Sequence, residues 1–269
     1  MAATTSGELL TTVKNLLDSG KYSDLTITCG DETHKVHKNI VCTRCGFFER
    51  AERFAIGREA AENAISLPED EPKIIALLLE FLYTSEYTPK LPANDSPANA
   101  LPRSRFPHSC DPSHMFPRLC AHHTCGVNCR YDCRAFTCRF CPAIPPKGDD
   151  SQLLLHSKLY SLADKYDVPG LQDLAAVKFK TACAVFWKME AFPAVAEHVF
   201  TSTPDADMGL RTIVKMLLLE HRQDLVKKDG IKSFLEKRPE LMYELLVHNA
   251  EAGRDNGSEE EDSDWVARW

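Results

Sequence analysis

The sequence predicts an α+β domain, a small sheet covered by a cluster of helices, followed by a helical extension. Three observations carry this. Leu25, Ile27 and Cys29 alternate with Thr26 and Thr28, the period of a strand with one buried face. Residues 74–83 are apolar almost all round, as in a helix buried on most sides. Two short strands are not stable alone in water. They need that helix, and the later face of Leu155, Leu159, Leu162 and Tyr166, to cover them.

The elements follow in order. Residues 7–19 predict an amphipathic helix, since Leu9, Leu10, Val13, Leu16 and Leu17 recur at helical spacing before Gly20. Gly30 and Asp31 supply the turn after the first strand, and residues 33–36 return. Residues 39–54 predict two short helices broken near Cys45-Gly46. Residues 55–63, rich in Ala and Glu, predict a mobile connection, and residues 64–67 a third short strand.

The pattern stops at Thr88. Pro, Cys, His and Arg then dominate to Lys147 with no sustained period, and a segment that long is usually functional or disordered. Helical order resumes at Leu153. Pro169 suits a first helical turn, and Leu171, Leu174, Ala175 and Phe179 continue a core face. Leu210, Ile213, Val214, Leu217 and Leu218 predict another helix, and Pro239 opens a last one with Leu241, Met242, Leu245 and Leu246 expected inward.

These signals divide the chain into a disordered start (1–6), a first domain part (7–87), a Cys/His/Pro-rich insert (88–150), closing helices (151–182), a helical extension (183–251) and an acidic disordered tail (252–269). The tail stays solvated because it has too little apolar surface to offset ordering entropy. Its Ser258 and Ser263 precede acidic residues, the pattern of a phosphorylation site, although a purely solubilising tail needs nothing more. Residues 265–269, Trp-Val-Ala-Arg-Trp, are exposed unless they dock somewhere.

Composition narrows the function. Apolar content of 43% supports a packed core, and a net charge of −7 argues against a mainly nucleic-acid-binding protein. No apolar run has the length of a membrane span, and no secretory signal is visible. The expected setting is intracellular, cytoplasmic or nuclear, where thiols stay reduced. No phosphate-cradling loop, nucleophile elbow or paired catalytic carboxylates can be found, so an enzyme is not expected.

Several local motifs stand in a telling order: Ser23-Asp24-Leu25, Val36-His37-Lys38, Leu67-Pro68, Phe81-Leu82-Tyr83-Thr84, and the run from Leu162 to Leu171. Together they resemble the BTB/POZ domain family. The extension beyond Phe186 resembles the helical part of BTB proteins of filamentous fungi, and its amphipathic helices are expected to pack on the domain. The resemblance implies a BTB/POZ fold and a protein–protein interaction module that homodimerises or binds partner proteins as a scaffold or adaptor. It also implies that Asp24 and Lys38 occupy a charged pair near a dimer groove. Read from the residues alone, they are a strand-start Asp and a helix-start Lys that pair or cap, and His37 is a structural histidine. Asp24, His37 and Lys38 are the candidate partner-binding residues.

The insert offers a second chemistry. Seven of the eleven cysteines fall between Cys110 and Cys141, with His108, His114, His122 and His123 among them. Thiolate and imidazole together suit zinc, which would give a coreless segment a centre. The candidate ligands are Cys125, Cys129, Cys138 and Cys141, against the alternative of a low-complexity insert without metal. Arg residues interleaved with aromatic ones make the insert locally basic, the pattern of a solvated loop balancing an acidic protein or of a nucleic-acid patch, and the second gives a transcription or chromatin-associated factor as the alternative function. A further alternative is a substrate adaptor of a cullin-type ubiquitin ligase. The family's hydrophobic-x-acidic contact motif falls here on Leu155-His156-Ser157, which lacks the acid.

Overall fold

A computed structural model of the chain describes residues 2–54, 63–90 and 148–255. The described chain forms two compact units, divided after Trp187.

The first unit opens with α1 (Ala2–Ser19), which begins at Ala2 rather than at Gly7 and so takes in most of the stretch expected to be disordered. β1 (Leu25–Cys29) pairs antiparallel with β2 (Glu32–Val36) and parallel with β3 (Ala64–Ser66), giving the order β2-β1-β3. Gly30 makes the hairpin turn with a φ of 55°, and a Cβ there would meet the Pro72 ring at 3.1 Å. Alternation holds in β1, whose Leu25, Ile27 and Cys29 are all buried.

α2 (Lys38–Arg44) and α3 (Gly46–Arg53) are separated by Cys45 in extended backbone, the break the sequence indicates. α4 (Pro72–Thr84) starts on Pro72 and ends at Ser85, which takes a left-handed conformation and donates its N–H to the Phe81 carbonyl. Its Ile74, Ile75, Leu78, Leu79 and Leu82 are buried with the sheet in one core cluster. The connection expected at residues 55–63 falls almost wholly outside the described residues.

α5 (Ser151–Lys165) and α6 (Pro169–Phe186) form a helical hairpin that closes the first unit. Leu159, Leu162 and Tyr166 are buried as the spacing predicts, but Leu155 is only half-buried while His156 and Ser157 lie inside. The reason is that α5 packs on both α4 and α6, so one apolar stripe undercounts what it buries.

The loop after α5 locks the two sequence parts together. The Tyr166 hydroxyl donates to Asp70 Oδ2 at 2.7 Å, and Lys165 Nζ lies 2.8 Å from Asp70 Oδ1. The Tyr166 carbonyl accepts from the Cys45 thiol at 3.2 Å and from the Phe47 N–H at 3.2 Å. A Cβ on Gly46 would land 2.2 Å from Asp167 Oδ2, so any larger residue there would have to push the Asp167 carboxylate aside.

The second unit contains α7 (Phe192–Ser202), α8 (Leu210–Glu220), α9 (Arg222–Leu225), α10 (Asp229–Glu236) and α11 (Pro239–Asp255). Arg211 is buried and satisfies the end of α7, donating to the carbonyls of Phe200 and Thr203 and to Thr203 Oγ1. Arg238 forms a two-toothed pair with Glu197 at 2.8 and 3.0 Å, which holds that carboxyl below its ordinary pKa. The inward face expected for α11 is corrected: Leu241 is buried and Leu245 half-buried, but Met242 and Leu246 are exposed. The helix is apolar on more than one side, and only one side has a neighbour in the described unit. α11 also runs to Asp255, past the start expected for the disordered tail.

Candidate functional site

The three candidate residues meet where β1, β2 and α2 converge. The strand start places Asp24 beside the first turn of α2, and its Oδ1 accepts the Lys38 backbone N–H at 2.8 Å. That N–H is one of the donors a helix start leaves unpaired. The Lys38 ammonium turns elsewhere, 2.6 Å from Glu52 Oε1 and 2.6 Å from Asn63 Oδ1. Asp24 and Lys38 are therefore adjacent through the backbone rather than through a side-chain ion pair. Asp24 is exposed, and Lys38 is half-buried.

His37 is buried and bonded on both ring nitrogens. Nε2 lies 2.7 Å from the Lys21 carbonyl, which can only accept, so Nε2 carries the hydrogen. Nδ1 then accepts from the Tyr83 hydroxyl at 2.7 Å, and that oxygen accepts the His37 backbone N–H at 2.9 Å. Burial pushes the Tyr83 phenol up to about 12, which keeps its proton in place to donate. The chain of bonds ties α4 to the stretch before β1. Nothing in the sequence spacing announces Tyr83 as the partner, since the two residues are far apart in the chain.

α1 supplies the largest exposed apolar feature of this region. Val13, Leu16 and Leu17 pack against the core cluster, whereas Leu9 is 64% and Leu10 45% exposed. Tyr22, between α1 and the sheet, is also exposed and has a positive φ of 62°, uncommon for a bulky residue. A cleft beside α1 is lined by Leu17, Lys35, Leu79 and Glu80, with β2 as its one-sided edge strand.

The adaptor triplet is largely turned inward. His156 Nδ1 is 2.9 Å from the Tyr87 hydroxyl, and Ser157 donates to the Leu154 carbonyl. Lys178 reaches the Tyr87 carbonyl at 2.6 Å and lies 4.0 Å from the centre of its ring. The segment leaving α4 is thus anchored to α5 and α6. Burial, with Lys178 nearby, pushes His156 down to about 3.

The described cysteines, Cys29, Cys42, Cys45 and Cys183, are unpaired, and burial raises all four thiols, Cys45 to about 11. Such thiols are poor nucleophiles and poor ligands. Among the described residues no group of three His, Cys, Asp or Glu could hold a metal ion. The zinc candidates Cys125, Cys129, Cys138 and Cys141 lie outside the described residues. No described helix is long and apolar enough to cross a membrane.

The first unit is thus a three-stranded mixed sheet wrapped by helices, with α1 exposing apolar side chains on its outer side. Residues 13–101 match the family model for the BTB/POZ domain, about a third of the chain. This stretch is a BTB/POZ domain. The chain is 38% identical over 73 residues to the BTB/POZ and MATH domain-containing protein 3 of Arabidopsis thaliana, covering 27% of this chain and 17% of that protein. It is 34% identical over 74 residues to human Kelch-like protein 40, covering 28% of this chain and 11% of that protein.

Proposed function

We propose that this chain is a non-enzymatic protein-interaction module that self-associates, or takes a partner protein, through the outer face of α1. One observation carries the reading. The inner side of α1 is held by the core, while Leu9 and Leu10 stand in water next to the ordered domain. An exposed apolar surface rimmed by polar groups marks an interaction site. Asp24 and Lys38 serve this proposal indirectly, by fixing the hairpin and the start of α2, with the exposed Asp24 carboxylate free to set charge preference at the rim. His37 contributes only by positioning. An intracellular setting fits the unpaired cysteines.

The cullin-adaptor alternative has less support, because the triplet that would make the contact lacks an acid and buries His156 and Ser157. The chromatin alternative depends on the insert, which lies outside the described residues.

The test is sedimentation of the full chain beside Leu10→Asp. The expected result is a wild-type chain heavier than one copy and a variant that sediments as one copy with unchanged circular dichroism. A wild-type chain that stays single at tens of micromolar, with chemical crosslinking to cellular proteins equal in both, would overturn the assignment of α1.

A further inference from the structure

The second unit carries an apolar surface that the interaction module does not use. On α11, Met242 and Leu246 form one row along the helix, and Tyr243 and Val247 the adjoining row. They are 37%, 62%, 69% and 37% exposed, so the stripe is continuous and open. Met216 of α8, next to the lysine that pairs with Glu244 of α11, is 55% exposed. Four large apolar side chains side by side on one helix are more than the scattered single residues a surface normally shows.

The sequence beyond Asp255 holds a matching segment. Residues 256–264 are without a large apolar side chain and contain five carboxylates, and residues 265–269 then read Trp-Val-Ala-Arg-Trp. We propose that Trp265 and Trp269 dock on the Met242–Tyr243–Leu246–Val247 stripe of α11 in the same chain.

Length permits it. Nine residues, 256–264, reach about 30 Å when extended. The helix from Met242 to Asp255 is about 20 Å long at 1.5 Å per residue. The segment can therefore turn back along α11 and cover the whole stripe. Chemistry favours it. Indole rings are large and amphipathic, and methionine sulfur makes favourable contacts with aromatic edges. Tethering decides between occupants, because a short linker holds its cargo at millimolar effective concentration, above any concentration of a second copy. The acidic linker has no reason to leave water, so it delivers the tryptophans without competing for the stripe.

The experiment is fluorine NMR of the full chain labelled with 5-fluorotryptophan. The chain has three tryptophans, so three resonances are expected, and Trp265→Phe and Trp269→Phe assign two of them. Docking predicts that these two shift away from the unfolded position and resist a soluble quencher. Leu246→Asp, on a residue already exposed, should return both to the unfolded position and leave Trp187 where it was. Val247→Glu should do the same, which guards against a local folding defect in one variant. Resonances already at the unfolded position in the wild type, and indifferent to both variants, would overturn the proposal. Protection that disappears on dilution would also overturn it, assigning the stripe to a second copy.

Discussion

α4 and α1 are neighbours in the same unit, rich in the same residue, and they end up in opposite surroundings. α4 puts Leu77, Leu78, Leu79 and Leu82 out of water, packed in the core cluster with α1, α2 and α5 around it. α1 puts only one side, Val13, Leu16 and Leu17, against the core and leaves Leu9 and Leu10 outside. Leucine content decides that a helix needs cover. Its place in the wrap decides whether the domain supplies that cover.

The contrast can be broken most sharply at Leu78. Leu78→Asp buries an unpaired carboxylate at a fully buried position, a cost of several kcal/mol, and the domain should fail to fold. Thermal melting of a soluble variant at the wild-type temperature would show that α4 is not the core. The same change at Leu10 should move stability by about 0.5 kcal/mol or less, as for other exposed positions.

Acid sharpens the comparison on the buried side. Unfolded, the His156 imidazole titrates near ~6.5. In the fold it is pushed down to about 3. Between those values the unfolded chain binds a proton that the native one does not. The contribution is therefore intact above pH ~6.5 and is lost as pH falls toward 3, roughly 3 kcal/mol of it by pH 4. Denaturant titrations of wild type and His156→Gln across this range should converge in slope only above pH ~6.5. Parallel curves throughout would mean that His156 takes up its proton in the fold as it does in the unfolded chain.

A smaller effect than at Leu78 is expected where the start of β1 meets α2. Asp24→Ala removes an acceptor from the first turn of α2 and should cost about 1 kcal/mol. A urea midpoint equal to wild type would show that water replaces the carboxylate without loss.

Much of this was legible in sequence because it is local. The alternation of Leu25, Ile27 and Cys29, the break at Cys45-Gly46, and Pro169 and Pro239 at helix starts all act within a few residues. The misreadings have a shared cause. Leu155 and Leu246 sit at correct helical spacing, but whether they are covered depends on elements far along the chain. The site was legible only in part for the same reason. Asp24 and Lys38 could be named from position, but the turn of the Lys38 ammonium toward Glu52 and Asn63, and the bonding of His37 to Tyr83, are products of tertiary packing.

The bond from Tyr166 to Asp70 sets a timetable. α4 is complete at Thr84, yet the residues that lock over it arrive only at Tyr166, after the insert has been made. At 5–20 residues per second, the ribosome takes roughly 4–16 s to cover that interval. Throughout it α4 has α1 and α2 beside it but lacks α5, the helix that completes its cover. A newborn chain is therefore most exposed to chaperones, and to aggregation, during synthesis of the residues that separate α4 from α5.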